Sequence, residues 1–67
     1  MDIKPDVGFA AGEIYFCGID TPVEVGAVKK KIKKNDDIFY MALGWLAREG
    51  KIEINRSKAK TYVRKTN

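Results

Sequence analysis

Tyr40, Gly44 and Arg48 recur every four residues, and Arg56, Lys58 and Lys60 alternate through the segment that follows. Residues four apart on a helix lie one above the other, so the first three share a stripe. Phenol and guanidinium groups can donate hydrogen bonds to phosphate or to a base edge, and a glycine between them lets the helix backbone come close to whatever lies opposite. The second set presents cations at alternate positions, as expected of a basic hairpin lying along a polyanion. Lys30, Lys33 and Lys34 either add sequence-independent attraction or form a solvated face. All of this is contact chemistry rather than bond-making chemistry.

Catalysis lacks its parts. A nucleophile needs a base beside Ser, Thr or Cys, but the chain has no histidine, and its one cysteine, Cys17, falls on the apolar face of the first helical segment. Asp36-Asp37 precedes a helix, where carboxylates cap the helix far more often than they bind metal. Gly8, Gly12, Gly18 and Gly26 match no phosphate-loop spacing. With a single cysteine, neither an internal disulfide nor the common zinc sites can form. The expectation is a non-enzyme with no cofactor, metal or small-molecule ligand, in a reducing, cytoplasmic setting. No stretch approaches the roughly 18 apolar residues of a membrane helix, and the stripe Val25, Val28, Ile32 is too short and aliphatic to favour lipid attachment.

The 67 residues carry a net charge of +4, unevenly spread. Residues 1–24 hold one basic side chain against five acidic ones, or −4; residues 25–67 hold twelve against four, or +8. A basic C-terminal two-thirds points to a polyanionic partner. A chain this short forms one domain, 1–67, and uses itself up in two or three helices and a hairpin.

The elements that must position these residues follow from periodicity. Val7, Ala10, Ala11, Ile14, Tyr15 and Cys17 predict a first helix over about 7–17, with Asp6 as its cap and Gly18 as its stop. Ile19–Val23 reads as an extended connection containing Pro22. Val25, Val28 and Ile32 predict a second helix over about 25–34, followed by Asn35 in the left-handed conformation and by Asp36 or Asp37 as the next cap. The third helix, about 37–49, has an apolar arc that includes Trp45 as a core or core-edge side chain, and Gly50 ends it. Ile52, Ile54 and Thr61-Tyr62-Val63 predict strands over about 51–56 and 60–65, joined by a basic turn at Arg56–Ala59.

This is an α+β order, three helices and then a β-hairpin, with a short turn between helices two and three. "AGEIY" (11–15), "VEVGAVKKKIK" (23–33) and above all "FYMALGWLAREGKIEI" (39–54) resemble the small winged helix-turn-helix family of unknown function with "AG.IW" and "ALGWLAR" segments. The similarity spans about residues 7–64. Tyr15 replaces the tryptophan of the first segment, and Glu24 stands where a Ser or Thr cap is more usual. The resemblance implies a winged helix-turn-helix fold and, by analogy, a DNA-binding and transcription-related role. In that fold the second helix of the motif faces the major groove, here through Tyr40, Gly44 and Arg48, while Arg56, Lys58 and Lys60 of the wing lie along the backbone or minor groove.

Other readings stay open. One arginine behind two aspartates is poor equipment for reading bases. Gly44 equally suits tight packing against another helix or the hairpin. Phe9 and Phe16, opposite the apolar face of helix one, either form a protein-partner or homodimer surface or are covered by the hairpin or the N-terminal segment.

Overall fold

The computed structural model describes residues 2–66. Helix α1 spans Lys4–Tyr15, strand β1 Val23–Glu24, helix α2 Val25–Lys31, helix α3 Asp36–Arg48, strand β2 Ile52–Ser57 and strand β3 Lys60–Lys65. The strands form an antiparallel sheet in the order β1-β3-β2.

The largest fully buried side chains are Ile14 of α1, Ile19 of the following connection, Val28 of α2, Phe39 of α3 and Val63 of β3. Ala10 and Ala11 on α1, with Ala42, Leu43 and Leu46 on α3, complete the seam between the two helices. The alanines suit a close helix–helix approach because small side chains let the backbones come together.

Several boundaries depart from the sequence expectation. Helix α1 begins at Lys4, three residues early. Pro5 sits in its first turn, where the missing N–H has no helical partner in any case. Asp6 therefore lies inside the first turn instead of capping, and the Asp2 carboxylate accepts the Lys4 N–H at 3.0 Å. The helix closes at Tyr15, leaving Cys17 half-buried beyond it, and Gly18 takes the left-handed turn at φ 91°. Strand β1 begins at the end of the expected extended connection and pairs Val23 with Val63 and Glu24 with Tyr62.

Helix α2 stops at Lys31 rather than Lys34, because Ile32 turns to extended backbone as it enters the core. Asn35 is also extended, at φ −60° and ψ 149°, not left-handed. Neither aspartate caps α3 in the usual manner: Asp37 accepts the adjacent Ile38 N–H at 2.8 Å, and Asp36 pairs with Lys29 at 2.7 Å. Both still place negative charge at the positive end of the helix dipole.

The stop at the far end of α3 is sharper. Gly50, at φ 73°, donates to the Ala47 carbonyl at 3.1 Å, and Lys51 donates to Leu46 at 2.9 Å. This pair of bonds is the Schellman closure, which needs a left-handed residue that glycine adopts without strain. It turns the chain directly into β2. Strand β3 then returns to the end of α1, where Lys65 donates its N–H to Ile19 at 2.7 Å and holds its ammonium 4.4 Å from the Tyr15 ring centre.

Truncating the hub should be decisive. Phe39→Ala removes a fully enclosed ring and costs about 3–5 kcal/mol, close to the whole stability of a domain this small. Circular dichroism in urea should find it largely unfolded without denaturant, whereas Phe9→Ala, at an exposed site, should shift stability by less than about 0.5 kcal/mol.

Candidate nucleic-acid interface

Helix α3 buries Ile38, Phe39, Ala42, Leu43 and Leu46 and leaves Tyr40, Met41, Gly44, Trp45 and Arg48 outward. At 100° per residue the buried set covers less than half the circumference. Trp45 is thus not a core residue: it is 54% exposed. The core beneath α3 is already closed by Phe39 and the two alanines of α1, and among the described residues Trp45 borders only an open groove against the start of α1. Gly44 is equally uncovered. A β-carbon built there meets nothing within 4 Å beyond its own helix backbone and chain neighbours, so tight intramolecular packing does not explain this glycine.

Two grooves flank the exposed face. The first lies between α3, the start of α2 and the hairpin tip, and is lined by Tyr40, Leu43, Glu24, Val25, Ala59 and Lys60. The second, about 740 Å³, lies between α3 and the start of α1, with Met41, Gly44, Trp45 and Arg48 on one wall and Ile3, Val7 and Gly8 on the other. The stripe read from the sequence is therefore divided. Tyr40 joins the wing, while Gly44 and Arg48 join α1. The sequence does not announce this apolar wall, because the helical wheel places Trp45 within the apolar arc of α3 and a first helix beginning at residue 7 leaves out Ile3 and Lys4.

The hairpin gathers Arg56, Lys58 and Lys60 around a two-residue loop, with Ser57 paired to Lys60 and Arg56 to Thr61. Side chains alternate across a strand, so Arg56 and Lys60 leave opposite faces and Lys58 projects from the tip. All three are exposed, and none has a carboxylate within ion-pair distance among the described residues. Lys58 also adopts φ 57°, the left-handed conformation usually left to Gly, Asn or Asp.

Elsewhere, positive charge is partly answered. Lys34 meets Glu13 at 3.2 Å, Lys65 meets Asp20 at 3.7 Å, and Arg64 pairs with Glu53 across the sheet. Lys29 bonds to Asp36, and that hydrogen bond and charge raise its pKa. Lys30 and Lys33 are exposed without such partners among the described residues. Glu24 places a carboxylate in the groove that holds Tyr40 and Lys60.

Burial pushes the Cys17 thiol up, against the opposing pull of Lys31 and Lys65, so it is not an activated nucleophile. Among the described residues, no group of three His, Cys, Asp or Glu side chains could hold a metal, and no helix is long and apolar enough to cross a membrane.

The open surroundings of Gly44 yield a directional test. Gly44→Ala should stabilise the fold by roughly 1 kcal/mol through helix propensity and a less flexible unfolded chain. Thermal denaturation should show a rise of several degrees; an unchanged or lower midpoint would contradict the open space around Gly44.

No curated protein matches the chain. Its fold is similar to the solution NMR structure of protein BT2368 from Bacteroides thetaiotaomicron, with 27% identity and a TM-score of 0.76, over 97% of this chain and 79% of that one. The family described as Winged helix-turn-helix domain (DUF2582) matches residues 1–65, and with three helices, a short inter-helix turn and a closing hairpin in place, the chain belongs to that family.

Proposed function

We propose that this chain is a duplex-DNA-binding module, not an enzyme, and that it grips the phosphate backbone chiefly through its wing. The observation that carries this reading is the hairpin tip. Three cations with no ion-pair partner among the described residues leave it in different directions, and the central one, Lys58, occupies a backbone conformation that glycine would adopt more cheaply. A strained lysine at a tip is what selection for charge, rather than for stability, would retain. Cations on both faces and at the end suit a hairpin entering a groove with phosphates on either side.

Tyr40 lies beside Lys60 and can donate to a phosphate on the same strand, while Lys30, Lys33 and, less freely, Lys34 add long-range attraction. Base reading by α3 is a small part of this function. The helix starts with Asp36 and Asp37, which repel phosphate, and its outward middle is Met41, Gly44 and Trp45. Arg48 and Gly44 belong to the groove on the α1 side, away from the wing. Binding is accordingly expected to be weakly dependent on base sequence.

Fluorescence anisotropy with a random duplex across a salt series tests this directly. The wing contacts alone should give a log K against log salt slope of about −3, at roughly 0.9 per phosphate. Lys58→Gly should flatten the slope by about one contact while leaving the fold as stable or more so, because it relieves the left-handed lysine. Absence of binding at low salt, or an affinity indifferent to Lys58→Gly and Arg56→Ala, would overturn the reading.

A further inference from the structure

Glu24 carries a charge that neither the fold nor the wing contact uses. Its side chain does not cap α2, and among the described residues it has no hydrogen-bond or ion-pair partner. It nevertheless lines the groove of about 420 Å³ between α3, the start of α2 and the hairpin tip, where Tyr40, Lys60 and Thr61 also stand. Val25 and Leu43, both buried, give this groove an apolar floor, and Gly26 leaves it open, since a β-carbon there would meet nothing within 4 Å. Tyr40 is 51% exposed, and its ring meets the enclosed Phe39 ring in a T-shaped contact, with centroids 5.1 Å apart and planes at 80°, so the core holds it in place. A held aromatic ring, a free carboxylate and a cation around a space of ligand size are the groups that take up an unstacked nucleobase and its phosphate.

We infer that this groove takes an unpaired guanine from the end or a break of a DNA duplex held by the wing, an inference that rests on the nucleic-acid reading above. The carboxylate chooses the base. When ionised it only accepts hydrogen bonds, and its two oxygens match two adjacent N–H donors. Guanine alone among the bases offers such a pair, N1–H and N2–H, on its Watson–Crick edge. Adenine and cytosine set an acceptor nitrogen beside their amino group, and thymine flanks its one N–H with carbonyls, so each turns a lone pair towards Glu24. Within an intact duplex the N1–H is consumed by pairing, which restricts the site to an unpaired base. That base stacks on Tyr40 with Glu24 at its edge, and Lys60 meets the adjoining phosphate. Arg56 and Lys58 of the same hairpin supply further phosphate contacts, which favours a base within a strand over a free nucleotide of the same chemistry.

Fluorescence anisotropy on a blunt duplex, and on the same duplex ending in one unpaired G, A, C or T, decides the matter. The unpaired guanine should tighten binding about ten-fold over the other bases. Glu24→Gln should cut that preference to less than about two-fold, while affinity for the blunt duplex holds or rises because a carboxylate no longer repels phosphate. Gly26→Leu, which fills the groove and suits a helix better than glycine, should remove the preference too, with circular dichroism confirming the fold. Lys58→Gly should weaken every duplex and spare the guanine preference, which separates the groove from the wing. Equal binding of all the unpaired ends, with the salt slope of the wing intact, would overturn the inference alone, as would a guanine preference that survives Glu24→Gln. A guanine preference without any binding of the blunt duplex would support the groove and refute the wing reading. Competition by guanosine monophosphate as strong as that by the guanine-ended duplex would assign the groove to a free nucleotide and refute the strand as its ligand.

Discussion

Phe39 is the largest fully buried side chain, and it shares one core cluster with Ile14, Ile19, Val28 and Val63, so all three helices and the central strand contribute to that cluster. Its burial orients α3 about its own axis. Once positions 39, 42, 43 and 46 face inward, Tyr40 must point towards the wing, and Met41, Gly44 and Trp45 towards the start of α1. The Schellman closure at Gly50 then sends the chain straight from α3 into β2, which fixes where the wing emerges.

One helix therefore presents two surfaces of different chemistry. On the wing side are a phenol and the cations of the hairpin, suited to phosphate. On the α1 side are an indole, a thioether and an uncovered glycine, suited to another apolar surface. The acidic N-terminal segment and basic remainder are divided in the same sense, with Asp6 and Glu13 on α1 and Arg56, Lys58 and Lys60 at the far end of the chain. Surface ion pairs such as Lys34–Glu13 and Lys65–Asp20 tie the two parts together, at about 0–1 kcal/mol each, and partly neutralise the cations involved. The wing escapes this, which is why its three charges weigh more than their number.

Much of the fold could be read from spacing alone. Ile14, Val28 and Phe39 announce their helices, and Gly50 its turn, because periodicity and left-handed glycines are local properties. Strand β1 could not be read, since two residues have no period and Val23–Glu24 is a strand only because Val63 and Tyr62 lie beside it. Trp45 misled because a helical wheel gives the direction of a side chain but not the width of the arc its neighbours cover. Pro5 is well tolerated in the first turn of α1, so a cap at Asp6 starts that helix too late. The division of Tyr40 from Gly44 and Arg48 depends on where α1 and the wing sit against α3, a tertiary fact that no stripe encodes. Lys58 carries no Asn-Gly signal, so its left-handed backbone emerges only from the register of the hairpin.

The most direct test of this division is a titration of isotopically labelled protein with a short random DNA duplex, followed residue by residue through the backbone amide and Trp45 indole NMR signals. The account predicts that shifts concentrate on residues 56–60 and Tyr40, while the signals of Met41 and the Trp45 indole stay in place. Shifts centred on Met41, Trp45 and Ile3, or none at low salt, would contradict it.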